Sequence, residues 1–168
     1  MSSQYTAFNG LVDTTTGMMA AGTSYATGAK VAIQIATLST GRIRIIECGV
    51  SGSGTAGGAK TLFTLAQASA ASTMTSAHTT ATITPTGDDA TTCPLTMGTT
   101  ACGYGVGAIT TNTTDRQFAG ALLDPAEHYE KQYPLGRDFI VQPSKFLQLR
   151  INTAATNTLL AYLIFELC

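Results

Sequence analysis

The chain has 168 residues and a formal net charge of -1, and only 11% of its residues are charged. This length suits a single domain that buries a core without covalent staples. With no block of Lys or Arg, the chain lacks the basic footprint that direct nucleic-acid binding needs.

An average soluble chain carries about 25% charged residues. Here hydrophobic residues reach 44%, and Gly, Thr, Ser and Ala fill much of the remainder. A hydroxyl surface sheds water more readily than one of Lys and Glu, and the centres of protein interfaces are depleted of charge. Such a composition fits burial in an assembly and, equally, an ordinary Thr-rich β-protein.

In chain order, "MSSQYTAFNG" has neither the basic nor the apolar region of a secretory signal, so synthesis in a cytoplasm is expected. Residues 1–29 carry apolar beads at Tyr5, Phe8, Leu11, Val12, Met18, Met19 and Tyr25 without sustained periodicity. They read as an extended N-terminal arm laid over a neighbour, followed by a β-sandwich domain over 30–168. "KVAIQIATL" alternates, with Val31, Ile33 and Ile35 on one face, and stops at the turn signal "STG". In "GRIRIIECGV", Ile43 and Ile45 oppose Arg42, Arg44 and Ile46, and the break at Ile45-Ile46 marks a bulge.

A glycine-rich loop, "SGSGTAGGA", precedes the strand "KTLFTLAQAS". Residues 68–100 are rich in Ala, Ser and Thr; β-branched Thr favours extended chain, and "TATITP" is a short strand candidate. "ACGYGVGAITT" reads as a glycine-broken strand, and "DRQFAGALLDPAEH" holds the one plausible helical turn, limited by Pro125. "EHYEKQYPLG" sets Tyr129, Lys131 and Tyr133 on one face, and "KFLQLRI" turns Leu147, Leu149 and Ile151 inward against Phe146, Gln148 and Arg150. The turn "NTAATN" leads to "LLAYLIFEL", apolar on both faces, with Leu160, Tyr162 and Ile164 opposite Leu159, Ala161, Leu163, Phe165 and Leu167. A strand of this kind needs cover on its second face. Roughly eight strand candidates at near-regular spacing indicate an all-β sandwich, jelly roll or barrel of antiparallel strands.

The chemistry-bearing residues give no catalytic constellation. His78, in "TSAHTTA", reads as a solvated loop histidine, and His128 as a surface pair with Glu130 on the same strand face. "GDDA" is a turn, because a calcium loop needs alternating oxygens and a closing Glu. "SGSGTAGG" lacks the Gly-Lys-Ser/Thr ending of a phosphate loop, and "NTT" at 112–114 matches a glycosylation acceptor only in form. Cys48, Cys93, Cys102 and Cys168 follow no metal spacing and read as free thiols, although Cys93 and Cys102 could face each other across a hairpin. No catalytic residue, cofactor or metal is expected. Arg137, Asp138, Lys145 and Arg150 lie near strand ends, where they could anchor an intersubunit contact or be plain exposed charges.

"YPLGRDFIVQPSKFLQLRI", the closing "LLAYLIFEL" and the strand "RIRIIECGVSGSGTAG" resemble the jelly-roll decoration, or cement, proteins of tailed bacteriophages. The resemblance covers about half of the chain and rests on hydrophobic patterns. It implies a homotrimer on the outer surface of the virion capsid that clamps neighbouring major capsid proteins, with no membrane or nucleic-acid partner. The interface candidates are Tyr5, Phe8, Arg137, Phe139 and Tyr162. Two other classes compete: a carbohydrate- or receptor-binding module of a phage tail or adhesin, with Tyr129 and Tyr133 as its aromatic platform, and a hydrolase whose triad assembles through space.

Overall fold

Alternating apolar side chains build two antiparallel sheets in the computed structural model, which describes residues 4–11, 15–18, 22–86, 92–109, 114–134, 136–137 and 139–168. The strands are β1 (Gln4–Phe8), β2 (Thr23–Tyr25), β3 (Gly28–Ala36), β4 (Ile43–Gly52), β5 (Thr61–Ala68), β6 (Ser76–Ala77) and β7 (Ile83–Pro85). They continue with β8 (Gly103–Ala108), β9 (Thr114–Leu123), β10 (His128–Gln132), β11 (Phe139–Val141), β12 (Phe146–Thr153) and β13 (Asn157–Leu167). No helix occurs among the described residues. One sheet runs β10-β4-β13-β1-β7, with β11 on β4 and β2 on β13; the other runs β6-β8-β3-β12-β5-β9. The chain is a β-sandwich. Its core forms where Ile33, Ile35, Phe63, Leu65, Leu147 and Leu149 of the second sheet meet Ile43, Ile45, Leu163 and Phe165 of the first.

The expectation of an arm laid over a neighbour is corrected at Gln4–Phe8 and Thr23–Tyr25, which pair within the chain itself. Gln4–Phe8 lies inside the first sheet, paired with β13 on one side and β7 on the other, with Tyr5 opposite Phe165 and Phe8 opposite Tyr162. Tyr5 is 2% exposed. Thr23–Tyr25 also pairs with β13, and the buried Tyr25 hydroxyl bonds to the Gly105 carbonyl at 2.9 Å. The helical turn is corrected as well, since Thr114–Leu123 is an edge strand on β5 and only Pro125-Ala126 turns. Helix-forming Ala, Leu and Gln yield there to the ladder that β5 offers.

Two bulges aim side chains. Along β4, Glu47 faces Ile164 and Ile45 faces Phe165, so Ile46 is the extra residue and the break in "RIRIIE" is a bulge. Along β3, Leu149 faces Ile33 and Arg150 faces Val31, which leaves Ala32 unmatched. Ala32 therefore joins the core while Val31, expected beside Ile33, turns to the outer face near Met74.

That outer face is closed by the chain's own connection between β5 and β8. Met74 lies against the backbone of Gly103 and Gly107, where any Cβ would collide with it. Beneath it, Gln34 exchanges two hydrogen bonds with the Ser72 backbone, at 2.8 and 2.9 Å, and its Oε1 accepts from Gln148 Nε2 at 2.6 Å. Both glutamines are buried and satisfied, which is the condition for polar groups inside a protein.

His78 belongs to this cover and is fully buried, so its reading as a solvated loop residue is corrected. Its Nδ1 lies 3.2 Å from Thr82 Oγ1, its ring packs 5.1 Å from that of Tyr104, and Nε2 has no partner among the described residues. Burial lowers its pKa from 6.5 to about 4.

Two outcomes follow. Deleting residues 1–9 removes an interior strand, so circular dichroism should show loss of cooperative unfolding, whereas a detachable arm would leave the melt unchanged. The unfolded chain protonates His78 near pH 6.5 and the folded chain only near pH 4. The stability that neutral His78 contributes is thus complete above that interval and is lost as pH falls through it, by about 3 kcal/mol at most. Urea unfolding at stepped pH should show this loss in the wild type and not in His78→Asn.

Candidate functional site

The outward face of β13 carries Leu160, Tyr162 and Ile164, all half-buried, while Leu159, Ala161, Leu163 and Phe165 fill the core. Strand registry extends this stripe sideways. Phe8 of β1 sits opposite Tyr162 with ring centroids 6.2 Å apart, and Thr6 sits opposite Ile164. On the other flank, β4 presents Glu47 opposite Ile164 and Gly49 opposite Tyr162, and β10 sets Glu130 opposite Gly49.

Gly49 has a mechanical role. A Cβ there would lie 2.2 Å from Cε1 of Tyr162, so the ring occupies the space above the glycine backbone. Lying across β4, the ring carries its hydroxyl to Glu47, donating to Oε1 at 2.5 Å. Burial raises the phenol pKa well above its ordinary value, and the carboxylates of Glu47 and Glu130 raise it further. Tyr162 therefore stays protonated and acts as a fixed donor.

The surround is polar and of mixed sign. Arg44 pairs with the buried Glu166 at 3.3 Å, and His128 lies 3.5 Å from the exposed Glu130, in the surface pair expected from the sequence. An apolar centre within a charged rim is the anatomy of a protein interface.

Of the five interface candidates, the structure brings together Phe8 and Tyr162. Tyr5 faces the core from the same strand as Phe8. Phe139, 38% exposed, pairs with Ile45 and packs its ring 5.0 Å from Tyr133 and 5.5 Å from Phe118, at the edge between the sheets. Arg137 is exposed in a turn closed by its backbone N–H to the Pro134 carbonyl at 3.1 Å. Lys145 pairs with Asp115 at 2.9 Å. Asp138, "GDDA" and the Asn112-Thr113 pair of "NTT" lie outside the described residues.

The aromatic platform is corrected: Tyr133 is buried in the core and Tyr129 packs 5.2 Å from Phe63, so both rings face inward. Glu47, Gly49 and Glu130 were not singled out from the sequence as members of the stripe. Registry alone places them there, and the bulge at Ile46 is the local signal that shifts Glu47 onto it. Cys48, Cys93 and Cys102 are buried thiols, and burial pushes Cys48 and Cys102 up to about 11. Among the described residues, no group of three or more His, Cys, Asp and Glu is placed to hold a metal ion.

Searches of family models, curated protein sequences and solved structures return no match to this chain.

Gly49→Ala tests the stripe's geometry. It should destabilise the fold by about 1–3 kcal/mol through overpacking against the Tyr162 ring. Adding Tyr162→Ala should recover part of that loss in urea unfolding; strictly additive losses would mean that the ring does not rest on Gly49.

Proposed function

We propose that this chain is a non-enzymatic structural protein of a tailed-bacteriophage head. In this reading it forms a homotrimer, binds the outer capsid surface and cements neighbouring major capsid proteins. The observation that carries the reading is the half-buried stripe of Phe8, Leu160, Tyr162 and Ile164 inside a rim of both charge signs. Second and third copies of the chain are its occupants. A rim holding Arg44 and His128 beside Glu47 and Glu130 offers a copy of itself complementary charges across a symmetry axis.

Other features support the same reading. The order β10-β4-β13-β1 facing β3-β12-β5-β9, with connections crossing repeatedly between sheets, is compatible with a jelly roll. The low charge suits a surface that is covered in use, and the resemblance of the C-terminal third to cement proteins supplies the capsid as partner. Many copies, each burying a modest interface, add their contributions over a shell. The glycan-binding alternative loses its platform with Tyr129 and Tyr133 turned inward.

Light scattering on the purified chain should give about 52 kDa, three times 17.4 kDa. Ile164→Asp should yield a folded monomer, whereas Leu163→Asp, one residue away on the core face, should unfold the chain. Expanded phage heads lacking their decoration should sediment the wild type and release Ile164→Asp. A wild-type monomer with no affinity for heads would overturn the reading.

A further inference from the structure

A cleft of about 220 Å³ opens on the outer face of the six-stranded sheet, away from the β13 stripe. Leu62, Thr64, Thr114, Gln117, Arg150 and Asn152 contribute to its lining, and among the described residues no Asp or Glu does. Strand registry explains the grouping. Arg150 lies opposite Thr64, Asn152 opposite Leu62, and Leu62 in turn opposite Leu122, so one row of the sheet is polar and the next ends in an apolar pair. Leu62 is 44% and Leu122 65% exposed.

Arg150 is set differently from the cations that are paired with carboxylates. Arg44, Lys60 and Lys145 each have a carboxylate partner, in Glu166, Asp124 and Asp115. The half-buried Arg150 is held by neutral groups alone. Its Nε and Nη2 donate to Gln148 Oε1 at 2.8 and 2.6 Å, and its Nη1 donates to Thr114 Oγ1. Gln148 is itself locked by Gln34, so the guanidinium is aimed by a buried network rather than by its own flexible stem. These three bonds use three of the five N–H donors of the guanidinium, leaving two.

A guanidinium does not shed its proton, so a partly desolvated one without a counter-charge is an electrostatic deficit that an anion relieves. We propose that this cleft binds the carboxylate of a small organic acid, with Arg150 as the anion-binding residue, Thr64, Gln117 and Asn152 as polar neighbours, and Leu62 and Ile109 as the apolar rest for the ligand's body. The volume sets the scale: it is below the roughly 300 Å³ at which pockets for larger ligands begin, so the ligand is compact. The planar fork of arginine matches a carboxylate, and the apolar Leu62 and Ile109 favour an organic acid over a bare inorganic anion.

The test is an NMR titration of the ¹⁵N-labelled full chain at fixed ionic strength with benzoate, its neutral analogue benzamide, and inorganic sulfate. Benzoate should shift the Arg150 Nε–H and the amides around Leu62 and Thr64, binding at least about tenfold tighter than benzamide. Sulfate should bind more weakly than benzoate. Arg150→Gln should remove the benzoate response. Because that change touches the Gln148 network, Leu62→Asp provides an independent check: it puts a carboxylate at the exposed mouth and should abolish benzoate binding with the thermal melt unchanged. Equal binding of benzoate and benzamide, sulfate as tight as benzoate, no benzoate response in the wild type, or a response that survives Leu62→Asp would each overturn the proposal. Oligomeric state is read separately, so failure here is distinct from failure of the capsid reading.

Discussion

The pairing of Asn157–Leu167 with β4 on one side and β1 and β2 on the other is the constraint on which the first sheet depends. The longest strand among the described residues joins the C-terminal part of the chain to its N-terminal part, with Phe165 meeting Tyr5 more than 150 residues away in sequence. Registry here leaves little freedom. A slip of one residue would exchange Leu163 and Phe165 in the core for Ile164 and Glu166, and would lift Tyr162 off Gly49. The bulge at Ile46 absorbs the one irregularity and still leaves Ile43 and Ile45 inward.

The two outer faces are finished in different ways. Over the six-stranded sheet, the connection carrying Ser72, Met74 and His78 packs down on buried glutamines, leaving the region around Arg150 open beyond it. Over the seven-stranded sheet, Tyr162 folds across Gly49 and shields part of the apolar stripe, while Leu160, Ile164 and Phe8 stay half-exposed. The second face of the last strand is thus covered in part from within. What remains uncovered is apolar and ringed by charge, which suits a sister subunit better than bulk water.

Much of this was legible in the sequence where a residue's fate depends on its immediate neighbours. Period-two alternation located β12 and β13 and the inward Leu147, Leu149 and Ile151, and the doubled Ile45-Ile46 marked its bulge. What could not be read depended on distant partners. Gln4–Phe8 is short, lies among Thr, Gly and Ser, and becomes a strand because β13 and β7 flank it. His78 sits among hydroxyls, and its burial comes from Tyr104 and the chain folded over it. Val31 kept the pattern of Ile33 but was turned by the bulge at Ala32, which involves β12 and β8. Of the candidate site, Tyr162 followed from the strand pattern. Glu47, Gly49 and Glu130 joined it only through cross-strand registry.

Hydroxyl-radical footprinting across a dilution series tests the central claim most directly, that the outward face of β13 is a subunit interface. Tyr162, Phe8 and Ile164 should be protected at high concentration and gain reactivity together on dilution, while the exposed Met18 and Leu122 stay constant as internal references. Reactivity of Tyr162 that matches its half-buried state at every concentration, with no change in Phe8 or Ile164, would contradict the account.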